Sequence, residues 1–384
     1  MKKIISLLLC VIMVFSLTVI SFAQTETQAG MLSAKSAVLM ELSTGQVLLE
    51  MNADEKLSPA SITKVMTILL VFEALENGKI AFEDKVTASQ NASSKGGSQI
   101  WLKEGEVMTV HELLKATVIA SANDACTALG EYIAGDETAF VSMMNEKAKS
   151  LGMKNTSFEN CSGLDDDVTN HYSTARDVAI MSRELMKYKK IKEYTTIWMD
   201  TLRNGETQLV NTNRLIRYYD GATGLKTGTT SKAGYCVTAT AERDGMGLVA
   251  VVLGSDNSTQ RFEDAKKMLS WGFANYTICQ PEIDKSLITD VSVLYGKENI
   301  AKAVAENPKP ILLKKGEEEK ITQRIEMCVD VEAPVEKNQS FGKVYFEIDG
   351  KVIGESPVLA EKPIERTDIW YIFSLLWSTF AKKS

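Results

Sequence analysis

The position of the strand-like segments constrains this chain more than any other feature. Residues 33–50 and 234–254 alternate apolar and polar side chains around short turns, Ser43-Thr44-Gly45 in the first and Arg243-Asp244-Gly245-Met246 in the second. Between them the sequence reads as helix. Apolar residues at 62, 65, 66, 69 and 72 give residues 58–77 a helical period. Thr109-Val110-His111-Glu112 is a capping box that opens a helix running towards residue 120. Further helices are expected over 174–188 and 261–275. Strands at both ends with helices between them predict an antiparallel sheet assembled from the two ends, with a helical block inserted. After Pro281 the character changes to short strands separated by Pro, Gly and Lys/Glu turns. Residues 344–348 and 351–353 flank Asp349-Gly350, a strong hairpin signal, so 281–364 is expected to be a separate small all-β domain.

The two ends carry membrane signals. Lys2 and Lys3 precede an apolar run from Ile4 to Phe22, and Ser21-Phe22-Ala23 sets small residues where a leader would be cut, giving a signal peptide over 1–23. The alternative is an uncleaved anchor. At the other end, residues 369–380 are apolar and aromatic and are followed by Lys382 and Lys383. That run is too short to span a bilayer, so 365–384 reads as an amphipathic helix lying on a membrane surface, or as a terminal helix packed on its own domain. The net charge of −7 gives no basic footprint for nucleic acid. Past the leader, Cys126, Cys161, Cys236, Cys279 and Cys328 are odd in number and lack C-x-x-C spacing. They read as single buried thiols rather than a disulfide framework or a metal site.

The chemistry is narrowed by what is missing. There are two histidines, His111 and His171, and no G-x-S-x-G elbow, which leaves a Ser-His-Asp hydrolase without support. His111 sits inside the capping box, and His171 is expected in a capping or core role. No glycine-rich phosphate loop is present. A lysine is the better candidate for a base. In Ser58-Pro59-Ala60-Ser61-Ile62-Thr63-Lys64, Ser58 suits an N-cap and Pro59 the first helical position. Ser61 and Lys64 then share a helix face. A neutral lysine there can take the serine proton, and the backbone N–H of Ser61 can meet a developing oxyanion unless the Ser58 cap competes for it. Alone this pair is weak. It is followed in order by Ser121-Ala122-Asn123, just after a helix, and by Lys226-Thr227-Gly228, where glycine lets a ligand approach a strand closely.

S-x-x-K, S-D-N and K-T-G in this order are the signature of penicillin-binding proteins and β-lactamases, and this chain departs from it only at Ala122, the centre of the middle motif. The flanking sequence resembles the low-molecular-weight penicillin-binding proteins of the serine-type D-alanyl-D-alanine carboxypeptidase family. The resemblance rests on Pro59–Thr67, on Ala120-Ser121-Ala122-Asn123-Asp124-Ala125, and on Ser162-Gly163-Leu164-Asp165. It extends to His171-Tyr172-Ser173-Thr174-Ala175-Arg176-Asp177, Gly224-Leu225-Lys226-Thr227-Gly228 and Ala233-Gly234-Tyr235, and then through the β-rich segment. It implies an α/β (α+β) fold: a β-lactamase/transpeptidase-like catalytic domain over 24–280, the β domain, and the terminal helix. It implies that Ser61 is acylated, that Lys64 is the base, and that Ser121, Asn123 and Lys226 complete the proton network. Thr227, Gly228 and Thr229 would hold the peptide, the N–H groups of Ser61 and Thr229 would form the oxyanion hole, and Arg261 would help with the terminal carboxylate. Position 229 is Thr where some relatives have His, which bears on substrate preference.

The implied partners are peptidoglycan stem peptides ending in D-Ala-D-Ala, β-lactam antibiotics, and a membrane surface, with no nucleic acid, metal or organic cofactor. The implied location is exported, on the outer face of the cytoplasmic membrane. A class A β-lactamase would need an E-x-x-L-N segment between Asn123 and Lys226, and there is none. A D,D-endopeptidase or transpeptidase uses the same site. A catalytically idle protein that binds wall peptide or β-lactam is the reading from a different class.

Overall fold

A computed structural model describes residues 32–165 and 168–381. The expected leader at 1–23 and the terminal lysines lie outside those residues. The chain divides into two compact units between Ala274 and Asn275.

In the first unit, β1 (Ser36–Glu41) and β2 (Val47–Met51) form the expected hairpin. The buried carboxylate of Glu41 closes its turn by accepting hydrogen bonds from the backbone and hydroxyl of Ser43 and Thr44. The Ala60–Thr63 turn is 3-10, and α1 (Lys64–Glu76) follows. Here the structure corrects the expected cap. Ser58 does not cap the helix; its hydroxyl donates to Asp165, 3.2 Å away. It therefore does not compete for the Ser61 N–H. Nor is α1 one-sided: every residue from Lys64 to Phe72 is buried, because sheet and helices surround it. Its helical period was readable from the sequence, and its burial on all sides is set by the packing around it.

The capping box at Thr109 and Glu112 opens α2 (Val110–Ile119), with both reciprocal bonds present. Two helices that sequence reading did not anticipate follow, α3 (Asn123–Ala134) and α4 (Glu137–Ser150). Then comes α5 (Ala175–Met186), capped by Thr174. The chain returns to the sheet as β3 (Ala222–Thr230), β4 (Gly234–Arg243) and β5 (Met246–Ser255), before α6 (Ser258–Asn275). Sheet order is β2-β1-β5-β4-β3, all antiparallel, with Val38 opposite Val251 and Thr227 opposite Val237. The sheet is thus joined from the two ends of the segment around the helical block. The K-T-G strand β3 lies at its edge, against the turn that carries Ser61.

The second unit is β-rich. It includes β6 (Ala303–Ala305), β7 (Thr322–Met327), β8 (Ser340–Ile348) and β9 (Lys351–Ala360), in the antiparallel order β6-β9-β8-β7. Asp349 (φ 50°) and Gly350 (φ 76°) both take left-handed conformations at the β8–β9 turn, as an Asp-Gly hairpin requires. Ile311, Val344, Phe346 and Val358 form one small core, and Val291, Phe341 and Ile364 belong to another. The last helix, α7 (Ile369–Ala381), leaves Ile369, Trp370, Phe373, Leu375 and Trp377 exposed. Among the described residues no helix is long and apolar enough to cross a membrane. Cys126, Cys161 and Cys236 are buried thiols as expected, but Cys279 is only half-buried and Cys328 is exposed on the β unit.

Candidate active site

The turn from Pro59 to Lys64 brings Ser61 and Lys64 together, with Lys64 Nζ 2.9 Å from Ser61 Oγ. Lys64 is wholly buried, and its amine meets two further oxygens, Asn123 Oδ1 at 2.5 Å and the Ser162 carbonyl at 2.7 Å. Asn123 Nδ2 donates to Gly96 O, which turns the amide oxygen towards the lysine. Lys64 Nζ donates to all three oxygens, as an ammonium can. Once it loses a proton, two N–H groups can stay on the two carbonyl oxygens, which can only accept, and the lone pair then faces the one partner able to donate, the serine hydroxyl. Burial favours that neutral form, lowering the Lys64 pKa to about 8, with Cys126, Cys161 and Asp124 opposing the shift.

Lys226, on β3, forms a second lysine–serine pair. Its Nζ is 2.8 Å from Ser121 Oγ and 2.8 Å from Thr227 O. Burial first, then the charges of Lys64 and Arg261, hold its pKa well below the usual lysine value. Two buried ammonium groups side by side are disfavoured, so the site favours states with at least one neutral amine. Ser121 sits between α2 and α3 with φ 62°, a conformation unusual for a residue with a side chain.

Glycines set how closely these parts approach. A Cβ on Gly228 would lie 2.9 Å from Pro59 O and 3.0 Å from Ser61 N, so β3 can pass the nucleophile's backbone only as glycine. Gly163 has φ 85°, and a Cβ there would stand 1.9 Å from Ala60 O. That glycine lets the Ser162 carbonyl reach Lys64. Thr227 Oγ1 donates to Thr212 Oγ1, 2.7 Å, and Thr229 Oγ1 donates to Gly228 O, 2.8 Å. Asp165 accepts from both Ser58 and Thr230, joining the nucleophile's approach to the end of β3.

Arg261, on α6, is buried behind β3. Its Nη1 donates to Gly228 O (3.1 Å), Thr229 Oγ1 (3.0 Å) and Cys236 O (3.2 Å). Burial pushes its pKa down to about 10. It supplies positive charge beneath Thr229 through the strand. His171 stands apart from this chemistry. Its Nδ1 accepts from Glu159 N–H at 3.1 Å, so Nε2 carries the proton and donates to Thr63 Oγ1 at 2.8 Å. Burial lowers its pKa to about 4.

The structure therefore gathers Ser61, Lys64, Ser121, Asn123, Lys226, Thr227, Gly228 and Thr229 around one cleft, with Arg261 behind it. Sequence reading missed the Ser162 carbonyl, the Gly96 and Ser98 carbonyls that hold Asn123, and the Thr212 hydroxyl. Backbone carbonyls carry no residue-type signal, so only the flanking S-G-L-D stretch pointed to Ser162.

Residues 23–257 match the family described as D-alanyl-D-alanine carboxypeptidase, and residues 283–366 match that described as penicillin-binding protein 5, C-terminal domain. The chain is 43% identical over 373 residues to the D-alanyl-D-alanine carboxypeptidase DacF of Bacillus subtilis, covering 95% of each protein. Its structure resembles penicillin-binding protein 5 of Haemophilus influenzae with a TM-score of 0.77 and 32% identity, covering 87% of this chain and 98% of that one. It also resembles penicillin-binding protein D2 of Listeria monocytogenes in its ampicillin-bound form, with a TM-score of 0.58 and 34% identity. That likeness covers 63% of this chain and 98% of the other.

Proposed function

The chain belongs to the D-alanyl-D-alanine carboxypeptidase family, and on that premise we propose that it removes the terminal D-alanine from peptidoglycan stem pentapeptides through an acyl-enzyme at Ser61. The observation that carries this reading is the buried Lys64 amine, held by two carbonyl oxygens with its remaining valence towards Ser61 Oγ. Ser61 Oγ attacks the carbonyl between the two D-alanines, and its proton moves to Lys64 Nζ. The negative oxygen is received by the N–H groups of Ser61 and Thr229, where Gly228 permits close approach. As the C–N bond breaks, the departing D-alanine amine takes the proton held by Lys64, relayed through Ser121, whose hydroxyl Lys226 holds. Water then gives a proton to Lys64 and attacks the ester, and as the ester C–O bond breaks that proton returns to Ser61 Oγ and the shortened peptide leaves. Thr227, Thr229 and the charge of Arg261 orient the terminal carboxylate. β-Lactams, whose strained amide presents the same kind of carbonyl, acylate the same serine.

The protein acts at the outer face of the cytoplasmic membrane. Two features support this: the leader-like sequence over 1–23 and the exposed apolar side chains of α7. Trp370 and Trp377 suit the headgroup layer.

The test is D-alanine release from a pentapeptide ending in D-Ala-D-Ala, using the full chain in mild detergent with Ser61→Ala alongside. Release by the parent and none by the variant is the expected result. No release by either, with labelled penicillin still attached at Ser61, would favour a D,D-endopeptidase or transpeptidase. Neither release nor labelling would favour an idle binding protein.

A further inference from the structure

Trp101 has an exposure and a backbone conformation that the reaction described above leaves unexplained. Its side chain is 73% exposed, whereas its neighbours Ile100 and Leu102 are 2% and 4% exposed. Its φ is 60°, a costly conformation for a bulky residue, and one that persists only where the surroundings fix it. They do so here. The buried carboxylate of Asp124 accepts from Ile100 N–H and from Leu102 N–H (3.0 Å), and Arg203 Nη1 donates to Ile100 O (2.9 Å). The backbone on both sides of the indole is thus pinned, and the indole is held outward.

The residue that pins it follows Asn123, and the same loop holds Asn123 itself, through Ser98 O to its N–H (2.6 Å) and Gly96 O to its amide (2.7 Å). Trp101 therefore stands three residues from the cleft wall, at most about 10 Å along the chain. Resting on the function proposed above, the substrate also has a limited reach. From the scissile carbonyl back to the peptide's first residue is at most about 10–14 Å in an extended chain, and there the peptide joins the sugar of the glycan. Indole faces suit the C–H face of a sugar ring, since Trp offers large, rigid contact area at low entropic cost. A membrane contact fits less well, because Gln99, Lys103 and Glu104, close to Trp101 along the chain, are polar or charged.

We propose that Trp101 is a specificity-determining contact for the sugar that carries the stem peptide, so that the enzyme distinguishes glycan-linked from free peptide. The measurement is steady-state D-alanine release from a disaccharide-linked pentapeptide and from a diacylated tripeptide ending in D-Ala-D-Ala. Trp101→Ala is expected to raise KM for the glycan-linked substrate about tenfold, leaving its kcat and both constants for the tripeptide unchanged. Trp101→Phe, which keeps an aromatic face, is expected to restore most of the difference. Equal losses on both substrates would mean a structural role, and no loss on either would mean no contact; both overturn the proposal. Unchanged kinetics with weaker binding to phosphatidylglycerol vesicles would also overturn it in favour of the membrane. Calorimetric titration of the disaccharide-pentapeptide into Ser61→Ala, with and without Trp101→Ala, reads the same contact without turnover. If the parent released no D-alanine, the family reading would fail, while this titration would still decide the role of Trp101.

Discussion

At the residue scale the site turns on one amine. Lys64 can accept the serine proton only when neutral, and burial sets its pKa near 8. Roughly a tenth is then neutral at pH 7, and that fraction grows as pH rises. Acylation by penicillin is expected to accelerate through pH 8 and level off above it, with an apparent pKa that belongs to the Lys64–Lys226 pair. Stopped-flow acylation across pH 6–9.5 checks this. Lys64→Arg keeps the charge at every accessible pH and is expected to slow acylation about a thousandfold or more. His171 makes a contrasting case. Its folded pKa near 4 lies below the ordinary value of 6.5, so the unfolded chain binds the extra proton first. Its contribution is full above pH 6.5 and is lost as pH falls towards 4, by about 3 kcal/mol at most. Urea midpoints at pH 7 and pH 4.5 are expected to differ less in His171→Gln than in the parent. The three motifs were legible because they are side chains at fixed spacing. Their order in the sequence brought out Ser61, Lys64, Ser121, Asn123 and Lys226, whereas the carbonyls that complete the Lys64 cage have no side-chain signature.

At the element scale the site depends on close backbone approach. Gly163→Ala would place a methyl group on Ala60 O and force a left-handed residue with a side chain. It is expected to cost about 2–4 kcal/mol of stability and most of the activity, as denaturant melts and penicillin labelling would show. Gly228→Ala meets contacts of 2.9–3.0 Å to the nucleophile's turn. It is expected to lower activity far more than stability, because β3 is an edge strand that can shift outward. The hairpins, α2, α5 and α6 were readable from alternation, caps and period. Two helices were not, for a physical reason. α3 buries Asn123, Asp124, Thr127 and Gly130 together with Ala125, Cys126, Leu129 and Ile133, so polar and small residues break up its apolar stripe. Gly130 is there so that Phe140 of α4 can lie against it, and α4 buries only Phe140, Met144 and Ala148. The signal that was available, Gly135 followed by Asp136 as stop and cap, was brief.

At the scale of the whole molecule, the first unit holds every residue of the cleft, and the second has its own small cores. The antiparallel sheet with an inserted helical block followed from strands at both ends of one segment, and the β-rich second unit from its turn chemistry. The free, Trp-rich terminus favoured a surface-exposed apolar α7 over a packed one, but a short apolar terminal run suits a packed helix as well, so sequence alone left both readings open. Removing residues 366–384 is expected to abolish sedimentation with anionic vesicles while leaving kcat for a soluble pentapeptide unchanged. Retained sedimentation would place membrane attachment elsewhere. The central claim, that Ser61 is the acylated nucleophile served by Lys64, is tested most directly by peptide mapping after exposure to benzylpenicillin. The account requires a single penicilloyl adduct on the peptide containing Ser61, absent from Ser61→Ala and strongly slowed in Lys64→Arg. An adduct on another residue, or D-alanine release that survives Ser61→Ala, would contradict it.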